Sequence, residues 1–297
     1  MTLFKLIINI IVKNILGSIL LTLALSGCVN LKHIHEYSSS ALDGINKIDE
    51  VDYGFARHCL DRCQLTAIDS FKIYRKLNCP CDLYERADSV VRILYKAVAG
   101  YFSGLSSLSK NDLIRYRVDP LKKALKEEDL KVFVVKKDEV GAYTKLVDVL
   151  LRAFTDSFRQ GKIKEYIRSA NPSLQVLLSK LEFIESQNLQ DLLEFKKERL
   201  FEQYQGLLKR HGLSDYEKQR ITAEYYQASR EIENFQKQIS LYSKSLGAIA
   251  RGHQKIAENL NTISGSDLKR SLTFYASEIQ DLIFEFNKLK HRYAWPN

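Results

Sequence analysis

Four cysteines carry the clearest chemistry in the chain: Cys59-x3-Cys63 and, fifteen residues later, Cys79-x-Cys81. Positions i and i+4 of a helix share a face about 6 Å apart, and positions i and i+2 of an extended segment share one about 6.6 Å apart. The two pairs therefore match in span and can form two rungs. Four cysteines allow three pairings, and an antiparallel return of the chain predicts the nested one, Cys63 with Cys79 and Cys59 with Cys81. A condition comes with it. If the helix carrying Cys59 ran straight to Lys76, Cys63 would lie roughly 18 Å from a turn at Asn78, out of disulfide reach. That helix must end near residues 66–70, with 70–78 folding back. Closing the intervening loop contributes about 3 kcal/mol in the chain-entropy model, and a nested second bridge less. The rival is a four-thiolate zinc site joined by His58, but neither pair has the CxxC spacing of zinc knuckles. A redox pair with a low-pKa thiol would also use CxxC.

Other reactive side chains form no pattern. His33-x-His35 could hold a metal but has no further ligand nearby. No GxSxG elbow, HExxH, P-loop or dinucleotide fingerprint occurs. Glu127-Glu128 follows Lys122-Lys123-Ala124-Leu125-Lys126 and reads as a solvated helix face. His253 falls on an apolar seam, where a hydrogen-bonded core histidine is expected before a base or a ligand. Tyr225-Tyr226, Tyr242 and Tyr275 alternate with aliphatic residues at helical spacing and read as packing aromatics. No catalytic residue, metal or cofactor is assigned.

The N-terminus is more specific. Residues 1–14 carry Lys5 and Lys13 and no acid, and an apolar stretch from Ile15 ends in Leu25-Ser26-Gly27-Cys28. Its length suits a signal peptide rather than a membrane span. A span over residues 6–25 would bury Lys13 near its centre, at a cost of about 2.5–3.5 kcal/mol. This segment resembles the bacterial lipoprotein class, whose lipobox is a Leu, two small residues and a Cys. The resemblance covers residues 1–28. It implies cleavage between Gly27 and Cys28, a diacylglyceryl thioether on Cys28 and, often, acylation of the new N-terminus. Two or three chains anchor far more firmly than one, at about 0.8 kcal/mol per buried CH₂. It also implies an exported compartment, where disulfides are the default. Val29 after the cysteine, in place of Asp, would direct the protein to the outer membrane of a two-membrane organism.

The elements that must position these residues are helices. Only 4 Pro and 13 Gly occur in 297 residues, too few for the turns of a sheet protein of this length. A helical period runs from Ser39 through Leu42, Ile45, Ile48, Val51 and Phe55 to an end at Asn78 or Cys79. A second helix follows Pro80, carries Val90 to Phe102 and gives way to the Ser/Gly-rich stretch 103–107. Residues 111–137 lean to helix around Pro120 and Val132-Phe133-Val134-Val135. Tyr143 to Phe158 form an amphipathic helix, and Asn171-Pro172 closes the region. Leu174 to Leu207 make the next helix, ending near Gly212. Ser214-Asp215-Tyr216-Glu217 is a capping box. It opens a heptad seam from Ile221 through Tyr225, Ile232, Ile239, Leu246 and His253 to Ile263, roughly 75 Å of helix. After Ser264-Gly265-Ser266 the rhythm resumes from Leu268 to Tyr293.

Three such helices joined by short loops should fold back on one another. The fold class expected is all-α, an elongated antiparallel helical bundle with long coiled-coil-like helices in the C-terminal third. Residues 1–27 read as signal peptide, 28–38 as tether, 39–172 as a helical region with the cysteine cluster, and 173–297 as the antiparallel region. Lys and Arg outnumber Asp and Glu by 45 to 36. Such a surface suits nucleic acid, anionic lipid or glycan, and export makes nucleic acid the least fitting. The function expected is that of a non-enzymatic envelope scaffold or spacer, held to membrane lipid through Cys28 and meeting an envelope protein partner. A homo-oligomer built on the heptad seam competes with packing inside one chain. The alternative is a carrier of lipid or another apolar ligand between the helices, hinted at by Ala228, Gly247-Ala248 and Gly252.

Overall fold

The computed structural model describes residues 31–110, 135–155, 163–262 and 265–292. Gly27, Cys28 and the rest of the signal segment lie outside them, as do Pro120, Glu127-Glu128 and Val132-Phe133-Val134. Among the described residues every regular element is helical. In chain order they are α1 (Lys32–Asn46), α2 (Phe55–Asp69), α3 (Asp82–Lys110), α4 (Lys137–Thr155), α5 (Ile163–Phe183), α6 (Gln190–Leu208), α7 (Asp215–Glu258) and α8 (Ser266–Arg292). A π turn, Ile184–Leu189, joins α5 to α6 without a break.

The long α7 begins where its chemistry dictates. Ser214 accepts from the Glu217 N–H while the Glu217 carboxylate accepts from the Ser214 N–H, closing the capping box. Gly212 just before it has φ +85, a conformation glycine adopts without strain. The pairs Asn171–Gln254, Gln175–Ala250 and Gln190–Gln236 set α5 and the start of α6 antiparallel to α7. Arg251–Glu278 does the same for α8. Helix α1 lies antiparallel to α3: its start meets Ser106 through His35, and at its end the Ile45 carbonyl accepts from Tyr242, whose ring packs on Tyr95. The architecture is an all-α antiparallel bundle. One continuous core runs through it, from Leu31 and Tyr37 across Leu94, Phe102, Leu177 and Leu246 to Ile279.

Several boundaries differ from expectation, most of them for a packing reason. The tether does not extend to residue 38: α1 starts at Lys32, and Ile34, Tyr37 and Ser38 are fully enclosed by the bundle. The period from Ser39 breaks at residues 51–54 and restarts at Phe55. There Asp88 of α3 accepts from the Phe55 and Ala56 N–H groups, each at 2.9 Å, capping α2 from a neighbouring helix. A Cβ on Gly54 would come 2.9 Å from that carboxylate, which is why glycine stands there.

The stretch 103–107 stays helical to Lys110, its small residues bringing α1 close enough for the Ser39–Ser106 contact. Pro172 lies inside α5. A proline in a helix interior costs about 3 kcal/mol, and the buried Ile167, Ala170, Leu174 and Leu177 around it outweigh that. The domain boundary at residues 172 and 173 therefore falls within one helix and one core. At its far end α7 stops at Glu258 and a 3-10 turn, Leu260–Thr262, follows.

Candidate functional site

The disulfides join Cys59 to Cys81 and Cys63 to Cys79, with Cα–Cα distances of 5.8 and 5.9 Å. Helix α2 ends at Asp69, inside the window this nesting requires. How it ends is the informative part. The Lys72 N–H donates to the Ala67 carbonyl and the Phe71 N–H to the Ile68 carbonyl, each at 3.0 Å, which is a Schellman closure. Its left-handed position, usually glycine, is held by Phe71 at φ +53. A bulky residue there costs roughly 1–2 kcal/mol, and such outliers gather at functional sites.

The loop so formed is apolar and basic together. Phe71 is 69 % exposed, Tyr74 53 % and Ile73 101 %. Lys72 stands between them and Arg75 and Lys76 follow, and no acidic residue occurs from Ser70 to Cys81. A recess of about 610 Å³ lies between loop and α2, with Arg62, Lys72 and Lys76 in its wall and no carboxylate. Among the described residues no ion pair neutralises these three cations. Arg210, in the turn between α6 and α7, lies over the Phe71 ring at 4.6 Å, and Arg199 of α6 pairs with Asp69 at 3.4 Å. Stapled loop and hairpin turn thus form one end of the molecule.

Below that end, Asp61 is held between Lys196 at 2.7 Å and Arg57 at 3.2 Å. Tyr53 hydrogen-bonds the buried His58 at 3.1 Å. Burial first, then Arg62, holds the His58 imidazole below its ordinary range. These contacts tie α2 to α6 and continue the staple as an ionic layer.

Two of the polar groups buried in the core are His253 and Glu185. His253 is fully buried; its Nδ1 lies 2.8 Å from Asn171 Oδ1 and its Nε2 2.6 Å from the Tyr101 hydroxyl. Asn171 Oδ1 can only accept, so Nδ1 carries the proton and Nε2 accepts from Tyr101. Burial drives the imidazole down to about pKa 3. Both ring nitrogens are engaged, so no lone pair is left to take a substrate proton. Glu185, in the π turn, is the second of them. Tyr95 donates to its Oε1 at 2.9 Å, Oε2 is buried without a partner, and burial raises the carboxyl to about pKa 8. The five-residue step from Ile184 to Leu189 was the sequence signal for this turn, since an α-helical stripe steps by three or four.

The remaining candidates are dispersed. His33 meets Glu36 and His35 meets Ser106, so the pair does not converge on one point. Tyr225 and Tyr226 pack with each other, and Tyr225 also with Phe201 and Tyr204. The space beside Gly252 is filled by Tyr37: a Cβ there would come 2.3 Å from the Tyr37 ring. The glycine serves close helix approach rather than a ligand cavity. Among the described residues no group of three or more metal-ligating side chains occurs, and no helix is long and apolar enough to cross a membrane. Comparison with known proteins finds no match: no family model, no curated protein and no solved structure is similar to this chain.

Proposed function

We propose that this chain is a lipid-anchored helical spacer of the bacterial cell envelope, held through Cys28 and presenting an interaction surface at its opposite end. One observation carries the reading. Helix α1 starts beside the C-terminal end of α3, where His35 and Ser39 meet Ser106. The stapled loop sits at the other end of α3, where Cys81 immediately precedes Asp82. From Cys81 to Ser106 the rise of α3 is about 37 Å, and α2 carries the loop roughly 15 Å further. A lipid on Cys28, three residues before Leu31, would hold one end of a rod on the order of 50 Å long and leave the other end clear. The rigidity a spacer needs comes from the shared core and the two disulfides.

Metabolic labelling with palmitate tests the anchor. The wild-type chain takes up label and stays in the membrane fraction after an alkaline wash, and Cys28→Ala loses both. Label retained by Cys28→Ala would overturn the reading.

A further inference from the structure

The tip of the rod has a surface whose chemistry points to its occupant. Ile73 is 101 % exposed, Phe71 69 % and Tyr74 53 %, so each keeps most of its side chain in water. Three large apolar side chains on a protruding loop are unfavourable in water, and Phe71 is kept in a backbone conformation that glycine would occupy without strain. The cationic recess with Arg62, Lys72 and Lys76 lies directly beside them. Lys209, Arg210 and Lys218 from the hairpin end outnumber its carboxylates, Asp215 and Glu217. An apolar tip ringed by cations complements a layer that is apolar beneath an anionic face, with tyrosine at home in the boundary between them. The disulfides hold the loop in shape, so little ordering remains to oppose binding.

We propose that this end docks on a second, anionic phospholipid surface, with Phe71, Ile73 and Tyr74 entering the headgroup layer and Arg62, Lys72 and Lys76 meeting its phosphates. The inference rests on the spacer reading: a rod anchored at Cys28 would then bridge two lipid surfaces. Exposed apolar side chains grouped with these cations suit a lipid layer, anionic at its face and apolar beneath, better than an acidic protein surface, which would leave the apolar side chains in water.

The test reconstitutes the lipidated chain into phosphatidylcholine vesicles and adds labelled acceptor vesicles. The acceptors are either an equimolar phosphatidylglycerol–phosphatidylcholine mixture or phosphatidylcholine alone. Acceptors with phosphatidylglycerol co-float with the donors, neutral ones do not, and added salt releases them. Lys72→Glu combined with Lys76→Glu reduces capture by at least about a hundredfold, each reversal removing an attraction and adding a repulsion. Phe71→Gly relieves the left-handed backbone, so its thermal midpoint stays level or rises while capture still falls about tenfold, the worth of a partly inserted phenyl ring. Equal capture of neutral and anionic acceptors, or capture untouched by these variants, overturns the proposal. So does an absence of capture by chains that remain on their donors, whatever protein the tip binds instead. A chain washed off the donors at alkaline pH fails the anchor reading separately. Its tip is then read by direct flotation of the free chain with the phosphatidylglycerol vesicles, where failure to float overturns the docking proposal as well.

Discussion

The two halves of α7 share one heptad seam and lie in different surroundings. From Ile232 onward, Ile239, Tyr242, Leu246, Ile249, His253 and Ile256 are all at most 2 % exposed. Positions flanking them, among them Ser243, Ser245, Gly247 and Ala248, are buried too. Nearer the hairpin turn the same spacing leaves Ile221, Tyr225 and Ala228 only half-buried. The difference is in the neighbours. The inner half meets α5 through Asn171–Gln254, α8 through Arg251–Glu278 and α1 through Tyr242–Ile45, whereas Tyr225 of the outer half packs on Phe201 and Tyr204 of α6. A hydrophobic period says which face of a helix is apolar, and the number of packed layers decides how much of that face leaves water. The outer hairpin also keeps Phe201, Leu208, Tyr216 and Tyr226 exposed, so it enters the distal end with apolar surface in reserve.

The contrast is broken most directly by truncating equivalent seam positions. Leu246→Ala should cost 2–5 kcal/mol, roughly the range for a fully buried leucine. Ile221→Ala, at a half-buried position, should cost less than about 1 kcal/mol by the area it withdraws from water. Urea unfolding of the two variants measures both. Equal losses would mean that the hairpin contributes as a core does. Gly252→Ala adds a smaller but opposite kind of damage. Its Cβ would sit 2.3 Å from the Tyr37 ring, which is anchored by its hydroxyl to the Ile249 carbonyl. Overpacking of that kind costs about 1–3 kcal/mol, and a loss below about 0.5 kcal/mol would show that the helices can part there.

The inner half also sets how stability responds to pH, with two buried groups acting in opposite senses. His253 takes a proton at its ordinary 6.5 when unfolded but only near 3 when folded. The unfolded chain thus binds more protons in that window, and stability falls as pH drops from about 6.5 toward 3. Glu185 ionises at its ordinary 4.5 when unfolded and near 8 when folded. There the folded chain binds more protons, and stability falls as pH rises from about 4.5 toward 8. Between 4.5 and 6.5 the slopes oppose, so the thermal midpoint is flattest there. Glu185→Gln keeps an acceptor for Tyr95 and removes the alkaline limb. Its midpoint should exceed wild type at pH 8 and match it near pH 4. A variant with an unchanged alkaline limb would transfer that limb to other groups.

What could be read from sequence divides along the same line. Helix class, the capping box at Ser214 and the seam of α7 depend on short-range spacing, and all were visible. So was the folding-back at residues 66–70, because nested disulfides leave the chain no other route. Features set by a distant residue were not. Asp88 caps α2 from thirty-odd positions away, and the start of α1 is helical because the bundle closes over Tyr37. Pro172 sits mid-helix because flanking leucines are buried by α4 and α7. At the distal end, cysteine spacing revealed the staple but not the conformation of Phe71, which the alternating Phe71-Lys72-Ile73-Tyr74 pattern alone does not announce.

The mildest change sharpens the comparison from the other side. Gly206 lies in α6 of the outer hairpin, and a Cβ built on it meets nothing within 4 Å. Glycine in an exposed helix interior is worse than alanine by about 0.5–1 kcal/mol, because the unfolded chain loses more freedom on ordering. Gly206→Ala should therefore stabilise the hairpin by that amount. Global unfolding will register the gain only if the hairpin melts with the core. Hydrogen exchange separates the cases: slower exchange in α6 and the outer half of α7, with the inner half unchanged, marks the hairpin as an independent opening unit. Slowing that spreads across both halves would instead make α7 one cooperative element, stiff from the core to the stapled tip.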